Sequence, residues 1–131
     1  RSISAMSELV AELENHTARY VEAVNAGDFE TVEKFYTADA VAVWEPGKPL
    51  SGDERRKYQR EFLQARPRMA AKPRQVFVTG RTALMIVDWT IDIPGTDGTT
   101  EHLEGVGVDV LTLGEDGVWR YAIDDPYGQA S

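Results

Sequence analysis

Residues 82–123 read TALMIVDWTIDIPGTDGTTEHLEGVGVDVLTLGEDGVWRYAI. Three runs rich in Val, Ile, Leu, Thr and Trp are separated by short breaks at 94–98 and 114–117 built from Pro, Gly and Asp. Such residues suit a pleated, half-buried surface, and breaks of a few residues join antiparallel neighbours. With the run at 75–79 and the turn Gly80-Arg81, the stretch predicts four strands, at 75–79, 82–93, 99–113 and 118–123, in an antiparallel meander.

Towards the N-terminus the period changes. Met6, Leu9, Val10, Leu13, Tyr20, Val21 and Val24 recur at helical spacing, which predicts a helix over 6–26. Gly27 ends it, and Asp28 caps a second helix over 29–36 that buries Phe29, Val32, Phe35 and Tyr36. Residues 40–45 read as a short strand stopped by Pro46-Gly47. Ser51-Gly-Asp-Glu54 is a capping-box pattern opening a third helix to about residue 65, with Tyr58, Phe62 and Leu63 inside. Pro67 and Pro73 bracket a break. Helices first and sheet afterwards make an α+β fold, with about three helices packed on one face of a curved antiparallel sheet. One domain is expected over 6–128, with residues 1–5 a disordered or added tail ahead of Met6.

Composition removes whole classes of chemistry. The 131 residues contain no cysteine, so disulfides, thiol nucleophiles and thiolate metal sites are excluded. The longest apolar runs are five residues, at 40–44 and 83–87, so no membrane partner is expected; no basic-then-apolar leader is visible and the cytoplasm is the default compartment. Net charge is −8, split as −6 over 1–47, +6 over 48–74 and −8 over 75–131. That balance argues against a nucleic-acid partner. Ser51 already reads as a cap, and the other serines lie near the termini. No phosphate loop or dinucleotide fingerprint exists; Gly105-Val-Gly107 sits inside a strand and marks a bend. His16 and His102 form no ligand pair, so neither metal nor cofactor is expected.

Carboxylates and phenols remain. A carboxylate in an apolar cavity becomes a useful base near neutrality, and a tyrosine or protonated acid can donate to a developing oxyanion. Tyr20 lies on the apolar stripe of the first helix, and His16, one turn earlier, is a pocket-lining partner or a core-edge histidine. Asp109 interrupts an apolar strand but points outward if Val106, Val108 and Val110 face the core. Asp88, between Val87 and Trp89, has the same ambiguity. Glu45 ends the first strand beside Trp44 and Pro46, and Asp124-Asp125-Pro126 ends the last.

The segments Ala18-Arg-Tyr-Val-Glu-Ala-Val-Asn-Ala-Gly-Asp28, Phe35-Tyr-Thr-Ala-Asp-Ala-Val41 and Gly114-Glu-Asp-Gly-Val-Trp-Arg-Tyr121 resemble the nuclear transport factor 2-like superfamily, from about residue 9 to 128. The resemblance implies a cone-shaped fold whose helices and curved sheet enclose an apolar pocket. Its members include ketosteroid isomerase, SnoaL-like polyketide cyclases, epoxide hydrolases and proteins that only bind or dimerise. The first helix is most similar to ketosteroid isomerase. That similarity implies oxyanion donors at Tyr20 and Asp109, with the base at Glu45 if one residue is inserted; without the insertion that position is Trp44. SnoaL-like cyclases use other acids around the pocket, which keeps Asp88 and Asp124 in play. An epoxide hydrolase would need an arginine, for which Arg81 and Arg120 are available. The expectation is a pocket holding Tyr20, with Trp44 or Trp89 in its wall. It takes a small apolar molecule, in an isomerase or cyclase needing no cofactor, or in a non-catalytic binding or dimerisation module. A homodimer through the outer sheet face is expected.

Overall fold

The computed structural model describes residues 3–129. Helix α1 (Ile3–Ala26) buries Leu9, Leu13, His16, Thr17, Ala23 and Val24, the stripe that its periodicity sets. Of the expected tail, residues 1 and 2 lie outside the described residues, and α1 begins at Ile3. Gly27 terminates the helix in the left-handed region (φ 68°). There its N–H reaches the Val24 carbonyl, and the Asp28 N–H reaches that of Ala23. The Asp28 carboxylate then accepts from the Thr31 N–H and hydroxyl, which starts α2 (Phe29–Glu33).

Helix α2 is shorter than its apolar spacing suggests. The Phe35 carbonyl accepts from the Tyr121 N–H, which draws the next residues into the sheet as β1 (Tyr36–Glu45). After the Pro46-Gly47 turn the chain returns as β2 (Lys48–Leu50), a strand too short to read in the sequence. Helix α3 (Gly52–Gln64) follows, but Ser51 makes no side-chain capping bond, so the predicted capping box does not form. The meander is β3 (Arg68–Thr79), β4 (Thr82–Pro94), β5 (Thr100–Leu113) and β6 (Trp119–Asp125). Pro73 does not break β3. The strand is at the sheet edge, and its pairing with β4 shifts register between Pro73 and Gln75, which spares the missing N–H.

The strand order is β2-β1-β6-β5-β4-β3. Neighbours pair antiparallel except β1 and β6, which run parallel, so the sheet is mixed rather than wholly antiparallel. Local turns report only neighbours in sequence; this pair joins the first strand to the last. The three helices pack against one face of this curved, unclosed sheet. Asn25 ties α1 to the β3 edge by accepting from the Met69 N–H (2.6 Å) and donating to its carbonyl (2.9 Å). Leu13, Val24, Val32, Met85, Leu111 and Trp119 fill the core between the layers. No described helix is long and apolar enough to cross a membrane.

Two irregularities shape the inner face. In β6, Val110 pairs with Ile123 and Leu111 with Tyr121, so Ala122 is left over as a bulge. In β5, Gly105 and Gly107 lie beneath the chain that follows β6. A Cβ on Gly105 would sit 2.8 Å from the Trp89 indole, and one on Gly107 3.1 Å from Pro126 Cα. Trp89 uses that space to donate from Nε1 to the Pro126 carbonyl at 2.7 Å. Gly105→Ala is expected to push this indole aside and lower stability by about 1–3 kcal/mol. The urea midpoint and the shift of the Trp89 indole proton are the measurements.

Candidate functional site

Between α1, α3 and the sheet lies a cavity of about 400 Å³. Its polar centre is built by four strands and helices that are remote in sequence. Asp109 on β5 and Asp124 on β6 are directly opposite each other, and their carboxyl groups share a hydrogen bond. The β6 bulge makes this possible. Tyr121 and Asp124 are three residues apart, which in a regular strand puts them on opposite faces. With Ala122 bulged, both line the cavity.

Asp124 Oδ2 accepts from the Tyr36 hydroxyl at 2.8 Å and from the Trp44 indole N–H at 3.0 Å. The Tyr20 hydroxyl lies 2.6 Å from that of Tyr36. Since Tyr36 spends its only proton on Asp124, Tyr20 is the donor to Tyr36. The chain of donors therefore converges on Asp124, which is the acceptor of the carboxyl pair, and Asp109 holds the shared proton. Burial pushes the Asp109 carboxyl well above the carboxylate range, and the charge of Asp124 pushes it the same way. Burial and Asp124 likewise hold the Tyr20 phenol protonated.

A cation stands behind this network. Arg55 on α3 is fully buried, donates to both carboxylate oxygens of Glu33 (3.0 and 2.5 Å), and places its guanidinium 4.8 Å from the centre of the Tyr36 ring. The walls are aromatic. Trp44 stacks on Tyr58 at 5.4 Å, and Trp89 meets Tyr127 edge-on at 5.4 Å. Among the described residues, no group of three or more His, Asp and Glu is placed to hold a metal ion.

The SnoaL-like domain family matches residues 17–122, most of the chain and nearly all of this site. The protein belongs to the SnoaL-like domain family. None of the curated proteins matches it in sequence. Among solved structures, a nuclear transport factor 2-like superfamily protein from Salmonella enterica serovar Typhimurium is similar at 15% identity, covering 96% of each chain with a TM-score of 0.78. A ketosteroid isomerase-like protein from Erwinia carotovora atroseptica is similar at 21% identity, covering 85% of this chain and 88% of the other, with a TM-score of 0.70. A protein named as a candidate dehydratase of the same superfamily, from Streptomyces avermitilis, is similar at 21% identity over 88% and 92% of the two chains, with a TM-score of 0.75. At these identities the three share the SnoaL-like chain's fold, and activity is argued from its own residues.

Of the residues singled out in the sequence, Tyr20, Trp44, Trp89, Asp109 and Asp124 line this one cavity. Glu45 reaches only its rim, where its half-exposed side chain pairs with Lys48 at 3.3 Å. Two do not reach it. Asp88 faces the other side of β4, since Val87 and Trp89 face in, and it is bound by Arg74 at 2.5 and 3.1 Å. His16 sits in the core, edge-on to Phe35 and Tyr121, with Nε2 donating to the Trp119 carbonyl at 3.1 Å. Arg81 and Arg120 are also elsewhere, bonded to the Leu113 and Gly114 carbonyls and to Asp116. Asp109 points inward, against the valine alternation, because Val106, Val108 and Val110 lie on an outer face that is itself apolar. Tyr36 and Arg55 have no local signal. Tyr36 reads as one more buried residue of a helix, and Arg55 as part of a charged helix face.

His16 has one buried nitrogen, Nδ1, with no partner, and burial lowers its pKa to about 4. A depressed histidine supplies stability above its unfolded pKa of 6.5 that is lost as pH falls through the folded value. Between pH 7 and pH 4 the wild type should lose about 3 kcal/mol more than His16→Gln, as read by urea unfolding at the two pH values.

Proposed function

We propose that this protein is a general acid–base enzyme that moves a proton beside the carbonyl of a small apolar compound, as an isomerase or a cyclase does. The observation that carries this reading is the pair of buried Asp109 and half-buried Asp124, joined to the Tyr20–Tyr36 hydroxyls at the wall of an apolar cavity. Asp124 takes the proton from the carbon next to the carbonyl, and the bonding electrons move onto the oxygen. On ligand binding Tyr20 turns its proton from Tyr36, and Asp109 turns its proton from Asp124, to that oxygen, where charge develops. The enolate then recovers the proton from Asp124 at another carbon, which completes an isomerisation, or attacks a second carbonyl carbon of the same molecule, whose C=O π electrons move to its oxygen and take the proton from Asp124, which closes a ring. Each step uses groups that this chain supplies. Asp124 is favoured over Glu45 as base because it is enclosed and surrounded by donors, whereas Glu45 is in water beside Lys48. The alternative, a module that binds without catalysis, retains the ligand and lacks the exchange.

Deuterium exchange at the carbon beside the carbonyl of cyclic ketones, followed by NMR with chelator present, tests the reading. Asp124→Asn should slow exchange about 10²–10⁴-fold, and Tyr20→Phe about 10²–10³-fold. The Asp109 donor is lost as pH rises through its raised pKa, so wild-type exchange should fall on the alkaline side. Asp109→Asn keeps an N–H donor and should flatten that limb. Full exchange in Asp124→Asn together with its loss in Glu45→Gln would return the base role to Glu45.

We also propose a symmetric dimer through the outer face of the sheet. Phe77, Leu84, Val110 and Ile123 are register partners across β3, β4, β5 and β6, and they form one apolar row on that face. Phe77 is 56% and Ile123 43% exposed. Such a row favours self-association. Light scattering at micromolar concentration should report twice the chain mass, and Phe77→Glu with Ile123→Glu should reduce it to the mass of one chain.

A further inference from the structure

The cavity's charges are all of one sign. Its acidic lining groups are Glu45, Glu101, Asp109 and Asp124, and among the described residues no lysine, arginine or histidine lines it. Glu101 stands near the start of β5 without an ion pair among the described residues, and the partner of Glu45, Lys48, points into solvent with 73% of its side chain exposed. The one buried cation nearby, Arg55, is outside the lining and is neutralised by Glu33. The other lining surface is aromatic, with Trp44, Tyr58, Phe62, Trp89 and Tyr127.

Carboxylates and ring faces attract an ammonium group, and the attraction grows as water is excluded. A carboxylate brought into the same space meets like charge and finds no counter-ion. We infer that the cavity selects an apolar ligand bearing a protonated amine and rejects its carboxylate counterpart. The amine lies at the mouth, between Glu45, Glu101 and the aromatic walls, while the carbonyl end of the ligand reaches Asp109 and Asp124. This deepens the acid–base reading by adding the charge of the substrate, and it rests on that reading for where the ligand sits.

Three probes of one shape test it: 1-naphthylmethylammonium, 1-naphthylmethanol and 1-naphthoate. Affinities are measured by calorimetry at pH 7 and physiological salt, and the Trp44 and Trp89 indole N–H resonances report whether the cavity is the site. The amine should bind about tenfold more tightly than the alcohol, the size of one partly desolvated cation–π contact. The naphthoate should bind at least about tenfold more weakly than the alcohol. The double variant Glu45→Gln, Glu101→Gln should bind the alcohol as the wild type does and keep only the part of the amine's advantage that the aromatic faces supply. Alcohol and amine binding equally would overturn the inference and leave the acid–base reading standing. An amine preference unchanged in the double variant would trace to the protein's overall charge of −8 and would overturn it as well. Failure of all three probes to bind would overturn it together with the cavity's role as the ligand site.

Discussion

Two carboxyl groups that face each other inside a protein cannot both be charged without a cost on the order of several kcal/mol per ion. Asp109 and Asp124 meet that constraint by sharing a proton and by gathering donors at one end. Most of the surrounding structure serves this arrangement. The Ala122 bulge turns Asp124 inward, the parallel pairing of β1 with β6 brings Tyr36 alongside, and Trp44 supplies its indole N–H from the same strand. Removing either Tyr36 or Trp44 strips the Asp124 carboxylate of one of its two donors at Oδ2.

The phenols extend this logic towards the cavity. Tyr20 comes from α1, whose position is fixed by the Schellman stop at Gly27 and by the Asn25 clasp on β3. Tyr36 is held between the carboxylate it donates to and the Arg55 guanidinium over its ring. Arg55 is itself compensated by Glu33 and Gln59. A buried cation near the Asp124 carboxylate offsets part of the desolvation each suffers, and here the two are separated by one aromatic ring. The polar centre is thus a continuous path from α3 through β1 to β5 and β6, closed on its cavity side by apolar walls.

The sheet is apolar on both faces, which explains why patterning alone left the side of Asp109 open. The rule that apolar residues face the core assumes one buried face. In β4 and β5 the alternate residues Leu84, Ile86, Val108 and Val110 are on the outer face, while Met85, Val87 and Leu111 fill the inner one. With both faces apolar, period two says which residues share a face and leaves open which face is inside.

The sequence by itself determined the element types, the order of helices before sheet, the four-strand meander and the stripe that carries Tyr20. These follow from periodicity, from Gly, Pro and Asp at turns, and from caps, all of which act over a few residues. It also marked Tyr20 and Asp109 as a phenol and an acid in apolar surroundings, while Asp124 read as a strand end and entered only through the family resemblance. What only the tertiary structure decided was the company each residue keeps. Tyr36 became a strand residue because it pairs with Tyr121, which lies 85 positions later in the chain. Asp124 turned inward because of a bulge in the pairing of β6 with β5. Asp88 and His16 left the site because one faces Arg74 on the outer surface and the other faces the core. Strand register, bulges and the choice of inner face depend on contacts between segments far apart in sequence, and no local pattern encodes them.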